Sequence, residues 1–299
     1  MAHREGRLVT AEKPDAYAIV TDRIIAALEA GNVPWRQPWH VRSHGPQRNA
    51  ISGHAYRGIN VLLTASARYA DPRWITFKQA LDLGGHVRKG EHGTPIVFFR
   101  IIERDDAATG EPVRIPLARH FTLFNAGQCD GLDLPPLEEP AEGAAFDPIE
   151  AAEAIVAAMP QRPEIQHNTA RAFYRPATDV VHLPPRESFQ TPAAYYATAF
   201  HELTHSTGHQ SRVGREAIGT AAFGDDCYSR EELIAEMGAA FLSAESGISA
   251  DTITPSAAYI GAWLAVLKAD SRLVISAAAA GQRAADFILD RQPASEASE

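Results

Sequence analysis

A chain of 299 residues, 45% hydrophobic and 22% charged, has room for one large domain or two ordinary ones, and its mix is that of a soluble globular protein rather than a disordered one. Nowhere do about 18 apolar residues run uninterrupted, and the opening MAHREGRLVTAEKPDAYAIV lacks an apolar h-region, so neither a membrane partner nor export is expected and the setting reads as cytoplasmic. The formal charge of −9 conceals an asymmetry: residues 1–128 carry 17 Lys and Arg against 12 Asp and Glu, and the rest carry 11 against 25. That split suggests two domains, the first able to approach a polyanion, with an excess that is nearly all arginine.

In chain order, DAYAIVTDRIIAALEAG predicts an amphipathic helix closed by Gly31. NVPWRQPWH interrupts it with two prolines beside two tryptophans, YRGINVLLTASARYA resumes a helical pattern, and Asp71–Pro72 ends it. WITFKQALDLGG reads as a short helix with Thr76 as N-cap. A turn then leads into a strand from Ile96 to Ile102, with antiparallel partners in PVRIPLARHFTLFNAGQCDGL across a DAATGE connection. From Asp133 the Pro-, Glu- and Ala-rich DLPPLEEPAEGAAFDPIE reads as a linker, giving domains over 1–132 and 149–299 with 133–148 between. Beyond it come a helix in IEAAEAIVAAMP and two short strands, RAFYRP and DVVHLP. A helix follows over TPAAYYATAFHELTHSTGH, with Thr191 as N-cap and Pro192 first, then one over YSREELIAEMGAAFLSAESG with a Ser229/Glu232 capping box. One or two Ala-rich helices close the chain. Cys129 and Cys227 are the only cysteines and read as reduced thiols.

The motif that carries chemistry is His201-Glu202-Leu203-Thr204-His205. Positions i and i+4 share a helix face, so two imidazoles can meet one ion while Glu202 stands beside them as the base that takes a proton from water. A third ligand is needed, and the metzincin spacing fails because Ser211 stands where its histidine would be. His209 is a ligand only if the helix continues past Gly208, and otherwise lies beside the site. The helix after it offers Glu231, Glu232 and Glu236, the gluzincin arrangement. Leu233, Met237, Ala240 and Phe241 mark its apolar side, flanked by Glu232 and Glu236, while Glu231 falls further round, toward solvent. Glu232 is therefore the expected ligand, and Glu236 the alternative or a carboxylate that orients a ligand histidine. Zinc is the default ion, and the donor set also accepts manganese or cobalt. The strand in RAFYRPATDVVHLPP could lie at the cleft edge and pair an extended peptide; Tyr174, Tyr195 and Tyr196 could donate to an oxyanion but read better as core tyrosines, and His182 as structural.

Single-strand binders pair phosphate-tracking cations with aromatic platforms. Trp35, Arg36, Trp39, Arg48, Tyr56, Arg57, Asn60, Trp74, Lys78, Arg88 and Lys89 offer both types in the first half, although Trp74 and Phe77 suit a core better than a platform.

DVVHLPPRESFQTPAAYYATAFHELTHSTGH with YSREELIAEMGAAFL resembles the C-terminal zincin-type domain of the ArdC-like antirestriction proteins. WRQPW, YRGINVLLT, WITFKQALDLGGHVRKGEHGTPIVFF and FTLFNAGQCDGL are similar to their N-terminal domain, and to the front part of some conjugation primases. The likeness runs from about Tyr17 to about Gly281, with ATAF in place of a more usual leucine-rich lead-in to the histidines. It implies an α+β chain of two domains: an N-terminal α+β domain that binds single-stranded DNA, and a mainly helical, gluzincin-type metallopeptidase domain. It also implies a mobile-element protein that protects incoming DNA from host restriction, with a host restriction protein or another peptide as the substrate of any hydrolysis. Two other readings compete: a cytoplasmic zinc metallopeptidase whose first domain recruits substrate, and a DNA-coating protein whose metal is only structural.

Overall fold

The computed structural model describes residues 15–36, 45–105, 112–137, 148–215, 226–248 and 257–292. Helix α1 (Ala16–Glu29) starts where the Asp15 carboxylate accepts the N–H of Tyr17 at 3.3 Å, and the chain turns away at Gly31, whose φ of 77° favours glycine. After a 3₁₀ turn at Pro34–Arg36 come β1 (Arg48–Asn49), α2 (Ile59–Ala65), β2 (Arg73–Thr76) and α3 (Phe77–Asp82). Strands β3 (His86–Val87), β4 (Thr94–Asp105), β5 (Pro112–Asn125) and β6 (Cys129–Asp130) complete the first half. The main sheet has the order β1-β2-β5-β4, with Thr94 opposite Leu123 and Asp105 opposite Pro112; β3 pairs with β6. The short helix expected in WITFKQALDLGG runs from Phe77 to Asp82, directly behind its expected cap Thr76. Trp74 and Ile75, fully buried, are drawn into the sheet, and Thr76 caps the helix in a capping box with Gln79.

The second half comprises α4 (Pro148–Ala158), β7 (Glu164–Gln166), β8 (Phe173–Arg175), β9 (Val180–His182), α5 (Pro192–Ser206), α6 (Asp226–Ser246), α7 (Ala257–Ala269) and α8 (Leu273–Ile288). Its sheet has the order β7-β9-β8, which leaves β8 at an edge, over α5. Strand β7, only three residues long, is too short to show periodicity in the sequence. Thr191 caps α5 as expected, accepting the Ala194 N–H at 3.1 Å. The capping box expected at Ser229 does not form, because α6 already runs from Asp226 and buries Ser229 within it.

The two domains are not packed as separate bodies. One continuous core gathers Val20, Ile24, Leu28, Trp35, Leu62 and Val97 from the first half with Phe200, Met237, Trp263 and Val274 from the second. Trp35 meets Trp263 edge to face, with ring centroids 5.4 Å apart. The two halves are also joined by hydrogen bonds: the Thr21 hydroxyl donates to the Ser271 carbonyl at 2.6 Å, and the Gly58 N–H donates to Gln282 Oε1 at 3.1 Å. The expected linker begins as ordered chain on the first domain, where the Asp133 N–H donates to the Leu83 carbonyl at 3.1 Å; residues 138–147 lie outside the described ones.

Candidate metal centre

The centre rests on three helices that cross closely because two positions carry no side chain. A Cβ at Gly238 of α6 would stand 2.5 Å from Thr204 Cγ2 of α5, and one at Gly281 of α8 would stand 2.9 Å from the Gly238 nitrogen. Glycine lets α5, α6 and α8 approach at these points, and the α5–α6 approach brings Glu232 to the face of α5 that bears the histidines.

Ligand atoms of His201, His205 and Glu232 lie within 4.8 Å of one another. The two Nε2 atoms are 3.1 Å apart, and Glu232 oxygens lie 3.6 Å from His201 Nε2 and 3.5 Å from His205 Nε2. Atoms bound at about 2.0–2.2 Å to one tetrahedral ion stand roughly 3.3–3.6 Å apart. The donor set therefore fits a divalent cation, with two imidazoles and one carboxylate converging. The tautomer of His205 is set from behind: its Nδ1–H donates to Glu231 Oε1 at 3.2 Å, leaving Nε2 to face the centre. Glu231 is held in turn by Arg215, whose Nε donates to Oε2 at 2.9 Å and Nη2 to Oε1 at 2.6 Å. Arg215 also donates to the Thr207 hydroxyl at 2.7 Å and the Thr204 carbonyl at 2.9 Å, closing the C-terminal end of α5.

These contacts set the charges. Burial disfavours an imidazolium, but Glu231 and Glu232 outweigh it at His205 and raise its pKa to about 10. The same opposition, decided by Glu232, raises His201 above the ordinary histidine value. Burial would raise Glu232, but the two histidines hold it well below the usual carboxylate range; His205 and Arg215 likewise keep Glu231 low against burial. Glu202 goes the other way. It is buried, and burial pushes its carboxyl upward, while the Tyr174 backbone N–H on edge strand β8 faces it. A carboxylate raised toward neutrality beside a cation site is suited to exchanging a proton.

Two sequence expectations need correction. Glu231 does not point to solvent: it is 8% exposed, and it orients His205 of the cluster. Glu231 lies outside the apolar stripe yet is covered, because α6 is buried on more than one side, against α5, α8, α4 and α7. His209 does not join the cluster, since α5 ends at Ser206 and the His209 ring turns to the Ser211 hydroxyl at 2.8 Å. The tyrosines have other partners: Tyr174 donates to Asp179 at 2.8 Å, Tyr195 meets His167 at 2.9 Å, and Tyr196 donates to Glu153. Arg215 was missed altogether, because nothing in its local sequence shows that a loop arginine will meet a helix carboxylate.

In the first half several expected DNA contacts are occupied by the fold. Trp35 and Trp74 are fully buried, so neither has a face for a base; Trp74 instead donates its indole N–H to Gln47 at 2.5 Å. Tyr56 is buried, and Asn60 clamps β4 by exchanging hydrogen bonds with the Val97 backbone at 2.7 and 2.9 Å. Arg57 is ion-paired with the buried Asp286 of α8. Arg88 is paired with Glu91 at 3.0 Å and Asp130 at 3.2 Å. Lys78 and Lys89 are exposed and Arg48 is partly so, while Trp39 and the side chain of Arg36 lie outside the described residues. Phe77 is 54% exposed, against its expected place in the core. Phe98 and Phe121, 49% and 42% exposed, form an edge-to-face pair on β4 and β5 with centroids 5.4 Å apart.

The cluster and helix arrangement define a zincin-like metallopeptidase domain, and the family model of that description matches residues 150–280. The model described as the N-terminal domain of anti-restriction factor ArdC matches residues 14–124. The metal-free crystal structure of antirestriction protein ArdC from plasmid R388 is 42% identical, with a TM-score of 0.73 over 94% of this chain and 100% of that one. Its Mn(II)-bound structure gives 40% identity, a TM-score of 0.70, and coverage of 93% and 98%. The uncharacterized protein y4eC of Sinorhizobium fredii (strain NBRC 101917 / NGR234) is 37% identical over 93% of this chain and 92% of its own length. The chain belongs to the ArdC family. It is also 39% identical to a DNA primase TraC of Escherichia coli, over 90% of this chain but only 26% of the primase, so it spans about a quarter of that relative. Among the described residues no helix is long and apolar enough to cross a membrane.

Proposed function

We propose that this chain is an antirestriction protein of a mobile element, which binds single-stranded DNA through its first domain and carries a metal-dependent, peptidase-like centre in its second. The observation that carries the reading is the likeness, 42% identical along the whole neighbour, to the antirestriction protein ArdC, of which a Mn(II)-bound structure exists. His201, His205 and Glu232 would hold the ion, which when bound supplies a Lewis acid that activates water and polarises a carbonyl. Zinc, manganese and cobalt all suit two imidazoles and a carboxylate. Glu202 holds the exchangeable proton, and β8 offers a peptide an edge with which to pair. On the first domain, Phe77, Phe98 and Phe121 supply stacking faces, and Lys78, Lys89 and Arg48 supply cations for phosphates.

Glu202→Gln is the deciding variant. It removes the base while keeping the three ligands, so metal content and strand binding are expected unchanged. Transfer of unmodified DNA into a restricting host then gives the answer. Protection falling by tenfold or more places peptidase chemistry in the biological role. Full protection by the variant shows that the centre acts without that chemistry.

A further inference from the structure

Between α1 and α2, a notch of about 310 Å³ opens on the first domain. Ile24 and Leu63, both buried, form its apolar floor, and Asn32, Ser66, Arg23 and Arg68 supply its polar wall. Arg23 reaches solvent, yet its guanidinium sits deep enough for burial to lower its pKa, and among the described residues no carboxylate pairs with it. That distinguishes it from Arg57, Arg73, Arg88, Arg212 and Arg215, each of which has an acidic partner. Arg68, three residues past the end of α2 at Ala65, lies in the left-handed region at φ 61°, where glycine or asparagine is the usual occupant. A strained backbone that carries a long cationic side chain into a cavity wall is the kind of outlier that marks a binding position.

We infer that this notch is a nucleotide-binding subsite, in which Arg23 and Arg68 take the phosphate and the floor of Ile24 and Leu63 takes the sugar or base. Two guanidiniums supply forked donors that match phosphate oxygens. The apolar floor adds what a bare phosphate would not use. The nucleotide has two sources, a unit within a single strand or a free nucleotide. In the first case the inference rests on the single-strand reading above and names one of its contacts; in the second it stands apart.

The test uses the full chain, metal-loaded, with Arg23→Gln and Arg68→Asn; asparagine tolerates the positive φ. Thermal unfolding and metal content check the fold, and Arg23→Gln suffices if Arg68→Asn proves unstable. Labelled (dT)20 is followed by fluorescence anisotropy across salt, and dTMP by titration calorimetry. If the notch holds a unit of a strand, Arg23→Gln weakens (dT)20 binding at least about fivefold and lowers the salt slope by roughly 0.7, the share of one phosphate on a single strand. If it holds a free nucleotide, dTMP binds the parent chain and is lost in the variant, whether or not (dT)20 binds. Unchanged (dT)20 affinity and slope with no dTMP binding overturns the notch and leaves the single-strand reading standing. Neither ligand binding the parent chain overturns both.

Discussion

On α5 and α6 each imidazole and carboxylate of the metal cluster is largely buried and held by a neighbour, whereas on β4 and β5 the aromatic pair Phe98 and Phe121 stands in solvent. Both regions carry groups suited to binding. The first achieves fixed geometry by desolvating charges against one another, so losing one member leaves the others buried and unmatched. The second keeps its faces open at little energetic cost to the fold, and a change there is felt chiefly by whatever lands on it. Substitutions in the helix pair should therefore alter metal binding sharply, and those on the hairpin should alter ligand affinity with little effect on stability.

The largest effect is expected at His205. His205→Ala removes one of three converging donors and should abolish stoichiometric metal uptake, measured by equilibrium dialysis with Zn(II) and Mn(II), while (dT)20 binding persists. Full uptake by that variant would sink the assignment of the centre. Next comes Trp35, which the sequence offered as a DNA contact and the structure places against Trp263. Trp35→Ala should cost about 3–5 kcal/mol of stability. Calorimetry should show one unfolding transition before and after, because the domains share a core; two separated transitions in the parent chain would contradict that sharing.

A smaller loss is expected behind the metal. Glu231→Gln keeps an acceptor for His205 Nδ1–H but gives up the charge that Arg215 grips. Metal affinity should fall by about tenfold, at the low end for partners that orient a ligand. The same measurement on Glu236→Gln supplies the contrast, since Glu236 stands outside the ligand cluster: equal losses would mean that the two carboxylates have been ranked wrongly.

How much of this was legible in the sequence follows from the same physics. His201, Glu202 and His205 lie within one helical turn, so their geometry is written in their spacing. Thr76 and Thr191 as caps were readable for the same local reason. Glu232 required guessing how a second helix packs, and periodicity placed it in the cluster while misplacing its neighbour Glu231, because α6 has neighbours on several sides. Arg215 and the notch around Arg23 depend on tertiary approach and left no local mark. Trp35 and Asn60 misled for a related reason: a tryptophan or asparagine in a basic segment looks the same whether it meets a base or completes a core. Composition suggested two domains, and nothing in it could show that Trp35 reaches across to the second.

The smallest effect, and the sharpest for the comparison, is expected at Phe98. The ring is half exposed and packs against Phe121 at 5.4 Å, so Phe98→Ala should cost little in stability compared with Trp35→Ala. Stacking of a base on an aromatic face contributes about 1–3 kcal/mol, and a half-covered ring should sit at the low end, near a fivefold loss of (dT)20 affinity. Stacking involves no ion release, so the salt slope should stay put while the affinity drops, the opposite of what Arg23→Gln predicts. A fall in slope at Phe98→Ala would mean that the substitution disturbs the phosphate-tracking cations. An unchanged affinity would move the stacking face elsewhere, with Phe77 on α3 the next ring to test.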